Sequence, residues 1–184
     1  RLEAYQGLSN NLAAIEPPVW SGLIAAFLLR QGFSVTMIDA EAEGLSHHET
    51  ARAIADSNPT LAVFCIYGQQ PSASTQCMPA GSKTCAKLNE ISDIATLVLG
   101  THPSALPART LAEEPYTFLC QGEGPYTISG LIKASQEGSE FSLKGRDRTD
   151  LKMEHIVLTV VRDFKRVYPQ GFFPCKQVLK IISA

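Results

Sequence analysis

The sequence lacks long apolar runs and has no excess of charge of one sign. No apolar stretch approaches the roughly 20 residues that a membrane-spanning helix requires. The formal net charge is −2, so no basic excess indicates nucleic-acid binding. Hydrophobic residues make up 45% and charged residues 18% of the 184, which is typical of a globular domain with an apolar core. We therefore expect a globular protein that contacts neither membrane nor nucleic acid.

The five cysteines form no pattern that would indicate a zinc site or a disulfide framework. Their number is odd, and no two are spaced as C-x-x-C. Cys65 and Cys120 lie within apolar runs, where a thiol behaves as a small hydrophobic group. Arg1 opens the sequence in place of Met, and no apolar leader follows it. We expect a cytoplasmic chain that could be a fragment of a longer one.

Two kinds of apolar pattern alternate between Pro17 and Ala134. Apolar residues at helical spacing follow Pro17 and end at Gly32, and further helices are predicted at 48–55, 81–90 and 126–134. Runs typical of strands occupy 33–39, 61–66, 94–99 and 116–120. This alternation predicts right-handed βαβ units and a three-layer α/β fold with a doubly wound parallel sheet.

The first, central strand of such a sheet is missing from the pattern. Residues 1–16 contain no good candidate, because Gly7, Ser9 and Asn10 interrupt any β-prone run. Either that strand precedes Arg1, or the β-branched run Ile156–Val161 takes its place. We predict one domain over residues 1–134, followed by a linker and a divergent, surface-packed tail over residues 135–184.

Ligands of parallel α/β sheets bind beyond the carboxyl ends of the strands, so the loops there carry the candidate site. The first loop, 67–74, contains Gly68 and two serines that can donate hydrogen bonds, although a serine there could equally cap the next helix. The second loop, 100–107, contains His102, which could bind a ligand or stabilise its own loop.

The third loop, 121–127, places Glu123 between two glycines at a strand-to-helix junction. It is no phosphate-binding loop, because it lacks the lysine of the G-x-x-x-x-G-K-[ST] motif and carries an acid instead. His47 and His48 follow the strand predicted at 33–39, and we interpret both as solvent-exposed. No serine nucleophile elbow or metal-binding H-E-x-x-H helix is present.

The motifs, taken in order, resemble the cobalamin-binding domain of cobalamin-dependent radical S-adenosylmethionine enzymes. The resemblance covers residues 12–134 and is carried by Gly32-Phe33-Ser34-Val35, by Gly100-Thr101-His102-Pro103-Ser104-Ala105-Leu106-Pro107, and by Gln121-Gly122-Glu123-Gly124-Pro125. It implies a Rossmann-like, flavodoxin-like sheet that binds cobalamin at the carboxyl ends of its strands. The cofactor-binding residues that it implies are Tyr67, Gly68, Ser72, Gly100, Thr101, His102, Gly122, Glu123 and Gly124.

Departures from the family limit what can be carried over. The chain has no Asp-x-His-x-x-Gly loop to supply a histidine to cobalt, Thr101 replaces a glycine, and Pro125 replaces a glutamate. The spacing C-x-x-x-C-x-x-C, which holds the iron–sulfur cluster of radical enzymes, is absent, so we expect no such cluster here. The hypothesis is a cobalamin-binding module, of methyltransferase or rearrangement class, that lacks the radical domain and catalyses nothing alone.

Two other hypotheses stay open on the sequence. One is a regulatory or protein-interaction α/β domain that binds no cobalamin. The other is an enzyme that uses the same loops on a nucleotide or sugar. Retention of cobalamin distinguishes the first hypothesis from both, and turnover without cobalamin identifies the last.

Overall fold

A computed structural model describes residues 17–68 and 71–136 of the chain. The elements in chain order are α1 (Val19–Arg30), α2 (His47–Asp56), β1 (Leu61–Ile66), α3 (Pro71–Ile91), β2 (Ala95–Gly100), α4 (Thr101–Ala105), α5 (Pro107–Glu113), β3 (Phe118–Leu119) and α6 (Pro125–Gln136). The predictions for residues 1–16 and for the tail at 135–184 lie outside the described residues, apart from positions 135 and 136 at the end of α6. The run Ile156–Val161 also lies outside them.

The three strands form one parallel sheet in the order β1-β2-β3. β1 pairs with β2 along its whole length, from Leu61 opposite Ala95 to Ile66 opposite Gly100. Parallel strands need crossover connections, which α3 supplies between β1 and β2. The parallel α/β sheet predicted from the alternating pattern is confirmed.

Two apolar clusters cover the two faces of the sheet, which makes the fold three-layered. One face carries Leu97 and Leu99 against α1 and α6, represented by Leu28 and Ile128. The opposite face carries Phe64, Val98 and Tyr116 against α2 and α3, represented by Ile54, Met78 and Leu88. Residues of β2 are buried on both faces, as a central strand between two helical layers requires.

The helices begin and end where local chemistry favours it. Pro17 and Pro18 precede α1, and Gly32 follows it with φ of +88°, a conformation that glycine adopts without strain. α2 begins with a capping box in which the Ser46 hydroxyl accepts from the Glu49 N–H, while the Glu49 carboxylate accepts from the Ser46 N–H. The helix predicted at 48–55 is confirmed, and the observed helix extends one residue further at each end.

The third helix is longer than predicted. The pattern predicted residues 81–90, whereas α3 runs from Pro71 to Ile91 and contains Pro79. Pro71 suits the first helical turn because its missing N–H would have no helical partner there. The helix continues through Pro79 because packing of Met78 and Leu88 on the sheet outweighs one lost backbone hydrogen bond.

Two strand predictions differ from what the described residues show. Residues 33–39 pair with no strand in the described part of the chain. The strand predicted at 116–120 is reduced to Phe118–Leu119. Its amino-terminal side pairs through side chains, because the Thr117 N–H donates to the Thr96 hydroxyl at 3.0 Å and the Thr96 N–H donates to that of Thr117 at 3.2 Å.

No helix between residues 17 and 136, as far as these are described, is long and apolar enough to cross a membrane. The longest one, α3, carries three charged side chains along its exposed surface, Lys83, Lys87 and Glu90.

Candidate functional site

The candidate site lies at the edge of the sheet where all three strands reach their carboxyl ends. Ile66 and Gly100 are opposite each other in the last pair of the β1–β2 ladder. Leu119 pairs with Val98, so the segment after β3 leaves from the same edge. Because the strands are parallel, the segments that follow them meet there.

Ser74 links the end of β1 to the residues that follow β2 through two hydrogen bonds. Its hydroxyl donates to the Ile66 carbonyl, and the same oxygen accepts from the His102 N–H at 3.0 Å. Ser74 is fully buried in the first turns of α3. One side chain therefore satisfies a carbonyl at one strand end and an N–H just past the next, which fixes the separation of these two segments.

Gly100 allows β1 and β2 to approach closely at this point. Its φ is +147°, and a Cβ there would lie 2.1 Å from the Ile66 carbonyl oxygen and 3.2 Å from the Ser74 hydroxyl. No side chain larger than hydrogen fits without moving the neighbouring strand. Gly68 is similarly constrained, because a Cβ there would lie 2.2 Å from that of Ala73.

His102 belongs to a short helix rather than to the loop predicted at 100–107. α4 begins at Thr101 directly after β2, and the His102 carbonyl accepts from the Leu106 N–H at 3.0 Å. The Nδ1 of the half-buried His102 ring lies 2.9 Å from the Thr75 hydroxyl. This contact orients the ring.

The segment after β3 is held against α4. The Gly122 N–H donates to the Ser104 hydroxyl at 3.0 Å, and the Gln121 side-chain amide donates to the Ser104 carbonyl at 3.3 Å. Gly122 has φ of +107° and Gly124 has φ of +90°. These conformations turn the chain sharply into α6 and leave the Glu123 side chain exposed.

Tyr67 follows β1 and extends towards the segment after β3. Burial raises the pKa of its hydroxyl, and the neighbouring Cys65, Cys120 and Glu123 raise it further. The phenol is therefore neutral and can donate a hydrogen bond. Its ring lies beside that of Trp20, with ring centroids 6.1 Å apart and planes inclined by 33°.

Most of the predicted site residues lie on these three converging segments. The exception is Ser72, which lies exposed in the first turn of α3 because the helix begins at Pro71. The serine that contacts the strand ends is Ser74, two residues further on. Recognition of Pro71 as a first helical residue would have placed Ser74 on the turn nearest the sheet, so the signal was present in the sequence.

Outside this edge, the interpretation of the histidine pair needs one correction. His48 is exposed, but His47 is half-buried and its Nδ1 lies 2.9 Å from the Thr84 hydroxyl of α3. The contact joins α2 to α3, which the sequence pattern could not indicate across 37 positions. Within the described residues, no group of three His, Cys, Asp or Glu side chains could hold a metal ion.

The fold and this edge define an α/β domain whose ligand site would lie at the carboxyl ends of parallel strands. The family model of the B12-binding domain matches residues 5–132. The chain therefore belongs to the B12-binding domain family, and this membership supports cobalamin as its ligand. A search of curated proteins and a search of solved structures each gave no match.

The residues at the edge fit a ligand rich in amide groups such as cobalamin. Gly122 is exposed, and no atom lies within 4 Å of the point where its Cβ would be. A polar ligand can thus reach the backbone next to Glu123, an acceptor for amide N–H groups. Tyr67 supplies a neutral hydrogen-bond donor.

Proposed function

We propose that this chain is the cobalamin-binding module of a radical S-adenosylmethionine-type enzyme, of methyltransferase or rearrangement class, and that it binds without independent catalysis. Cobalamin binding is supported by one observation in a member of the B12-binding domain family: the segments after the three strands meet near the exposed backbone of Gly122. Residues 1–134 would form the binding domain and residues 135–184 a linker and tail, in a cytoplasmic protein.

The contacts divide the candidate residues into two roles. Tyr67, Gly122 and Glu123 would contact the cofactor, because their polar groups border the open part of the edge. Gly100 and Ser74 would hold the strand ends at the required separation, because both are buried in the junction. When bound, cobalamin supplies organometallic and methyl-transfer chemistry. The protein's part is to hold and orient it.

The absence of independent catalysis rests on the cysteines. They lack the cluster spacing, and the thiols at 65, 85 and 120 lie in or against the two apolar clusters of the core. A cluster needs accessible thiolates, whereas burial raises the pKa of the Cys120 thiol to about 11. A separate radical domain or subunit would then supply the cluster.

The binding part is tested by titrating the purified chain with hydroxocobalamin, followed by desalting and an ultraviolet–visible spectrum. We expect retained cofactor near one equivalent. Gly122→Leu should abolish retention by filling the open space. Gly32→Leu is the matched control, since Gly32 also has positive φ and open surroundings but follows the far end of α1.

The outcomes separate the possibilities. If the unchanged chain folds by circular dichroism but retains no cofactor, cobalamin binding is refuted. Equal retention by both variants would refute the placement of the site at Gly122.

The absence of independent catalysis is tested by incubating the cobalamin-loaded chain with S-adenosylmethionine and a strong reductant. We expect no 5′-deoxyadenosine, and its formation would contradict the assignment as a binding module.

A further inference from the structure

The outward side of α1 is apolar and exposed. Val19 and Leu23 are 61% and 56% exposed, and they lie on the side of the helix away from Ile24 and Leu28, which pack in the core. Arg30, the last residue of α1, is the one charged residue in this helix. Because a helix that is apolar on all sides is usually buried on all sides, the outward side of α1 is expected to have a covering segment.

The apolar surface continues from α1 to α6. Phe27 lies one helical turn beyond Leu23, and its ring packs edge to face on that of Tyr126, with centroids 4.9 Å apart. We call the surface formed by Val19, Leu23 and Phe27, with Tyr126 at its border, the outer α1 face. It lies on the outside of a helical layer, and contiguous apolar surfaces of this kind typically bind another protein segment.

Beyond α6, the sequence contains a segment with a matching apolar stripe. Within residues 153–168, which lie outside the described residues, apolar side chains recur at intervals of three and four. The members of this stripe are Met153, Ile156, Val157, Val160, Val161, Phe164, Val167 and Tyr168. Charged residues such as Arg162 and Lys165 fall on the opposite side of such a helix, as does Leu158. The pattern is typical of an amphipathic helix that binds an apolar surface through its stripe.

The position of this segment in the chain favours it as the occupant of the outer α1 face. Residues 137–152 connect it to the end of α6, which packs beside α1. A flexible connection of that length spans about 22 Å, compared with about 18 Å for the length of α1, so the segment can reach the face. A tethered segment also has an effective concentration of about 1 mM, which favours it over a second copy of the chain.

The residues before α1 are a weaker candidate for this role. Gly7, Ser9 and Asn10 interrupt their apolar pattern, so no comparable stripe forms there. Most of residues 1–16 also lie within the family match, which covers 5–132, whereas the segment 153–168 lies beyond it. The segment is therefore an apolar addition to the domain that the family defines.

We propose that residues 153–168 bind the outer α1 face of the same chain through their apolar stripe. The contact buries Val19 and Leu23 together with the apolar residues of the segment. It does not depend on cobalamin binding. It makes this part of the tail an additional layer of the folded domain, with its charged side exposed to solvent.

A photoreactive benzophenone amino acid in place of Leu23 tests the contact in the full chain. On irradiation it forms a covalent bond with C–H groups that touch it, and mass spectrometry after proteolysis identifies the cross-linked peptide. We expect a cross-link within one chain to a peptide from residues 153–168. The same amino acid in place of Ile91 is the matched control, because Ile91 is also apolar and 45% exposed but ends α3, in the opposite helical layer. It should give no such cross-link.

Two variants of the segment test whether the stripe makes the contact. In the chain with the benzophenone at position 23, Val157→Asp should lower the cross-linked fraction about ten-fold or more, because the contact would bury an unpaired carboxylate. Leu158→Asp is the matched control, since its position lies off the stripe, and it should leave the cross-linked fraction unchanged. Circular dichroism establishes that each variant is folded.

Every other outcome overturns the proposal. A cross-link from position 23 to a second copy would assign the outer α1 face to dimerisation, and a cross-link to residues 1–16 alone would assign it to the amino-terminal segment. No cross-link from a folded chain, or equal losses in Val157→Asp and Leu158→Asp, would remove the stripe from this face. Cobalamin retention is measured separately, so failure of this contact leaves the proposed function standing.

Discussion

Replacement of Gly100 by alanine is expected to destabilise the fold more than the same replacement at Gly122. Both residues have positive φ, +147° and +107°, and an alanine there costs about 1–3 kcal/mol of backbone strain. At Gly100 the added Cβ would also lie 2.1 Å from the oxygen and 2.7 Å from the carbon of the Ile66 carbonyl. These are backbone atoms of the neighbouring strand, so relief requires movement of β1 away from β2.

Overpacking of this kind typically lowers the free energy of unfolding by a further amount of about 1–3 kcal/mol. The free energy of unfolding should therefore fall by about 2–6 kcal/mol for Gly100→Ala and by about 1–3 kcal/mol for Gly122→Ala, which meets no atom within 4 Å. Since domains of this size are stable by about 5–15 kcal/mol, the first variant could be largely unfolded at 37 °C.

The assay is urea unfolding of both variants and the unchanged chain, followed by far-ultraviolet circular dichroism. Equal losses in the two variants, or a smaller loss at Gly100, would refute the close strand approach at Ile66. A lower midpoint with an unchanged slope would show that stability alone changed.

Two further predictions concern buried groups. Ser74→Ala removes the hydroxyl that joins the Ile66 carbonyl to the His102 N–H, so we expect a loss of about 1–3 kcal/mol, against about 0.5 kcal/mol or less for the exposed Ser72→Ala. Equal losses in urea unfolding would contradict this role of Ser74. Burial raises the pKa of the Cys120 thiol from 9.0 to about 11, so the folded chain keeps a proton that the unfolded chain releases. Stability should therefore fall as the pH rises from 9 to 11, and fall less in Cys120→Ala. The same pH dependence in both chains would exclude this thiol as its cause.

The apolar pattern alone predicted most of the elements. α1, α2, β1, β2 and α6 are found within two residues of their predicted bounds. The start of α3 was predicted at position 81, whereas the helix begins at Pro71 and contains Pro79. Tertiary packing on the sheet extends a helix through such positions, and the pattern carries no information about that packing.

The candidate site was predicted in location more than in detail. The three segments beyond the strand ends followed from parallel topology, and the family resemblance added Gly100 and Gly122 as candidate cofactor-binding residues. Ser74 was considered only as one of two serines able to donate a hydrogen bond, and Ser72 was chosen as the candidate site residue. The role of Ser74 depends on a partner far away in the chain, because it contacts His102 across 28 positions.

The sequence by itself determined the α/β class, the parallel sheet and the edge at which the candidate site is predicted. The physical reason is that helix and strand periods, glycines and prolines act locally, and βαβ chirality then restricts the topology. Only the tertiary structure decided which hydroxyl bridges β1 to α4, why Gly100 admits no side chain, and which aromatic rings border the edge. Those features arise from atoms brought together by folding, whose separation in space no local pattern records.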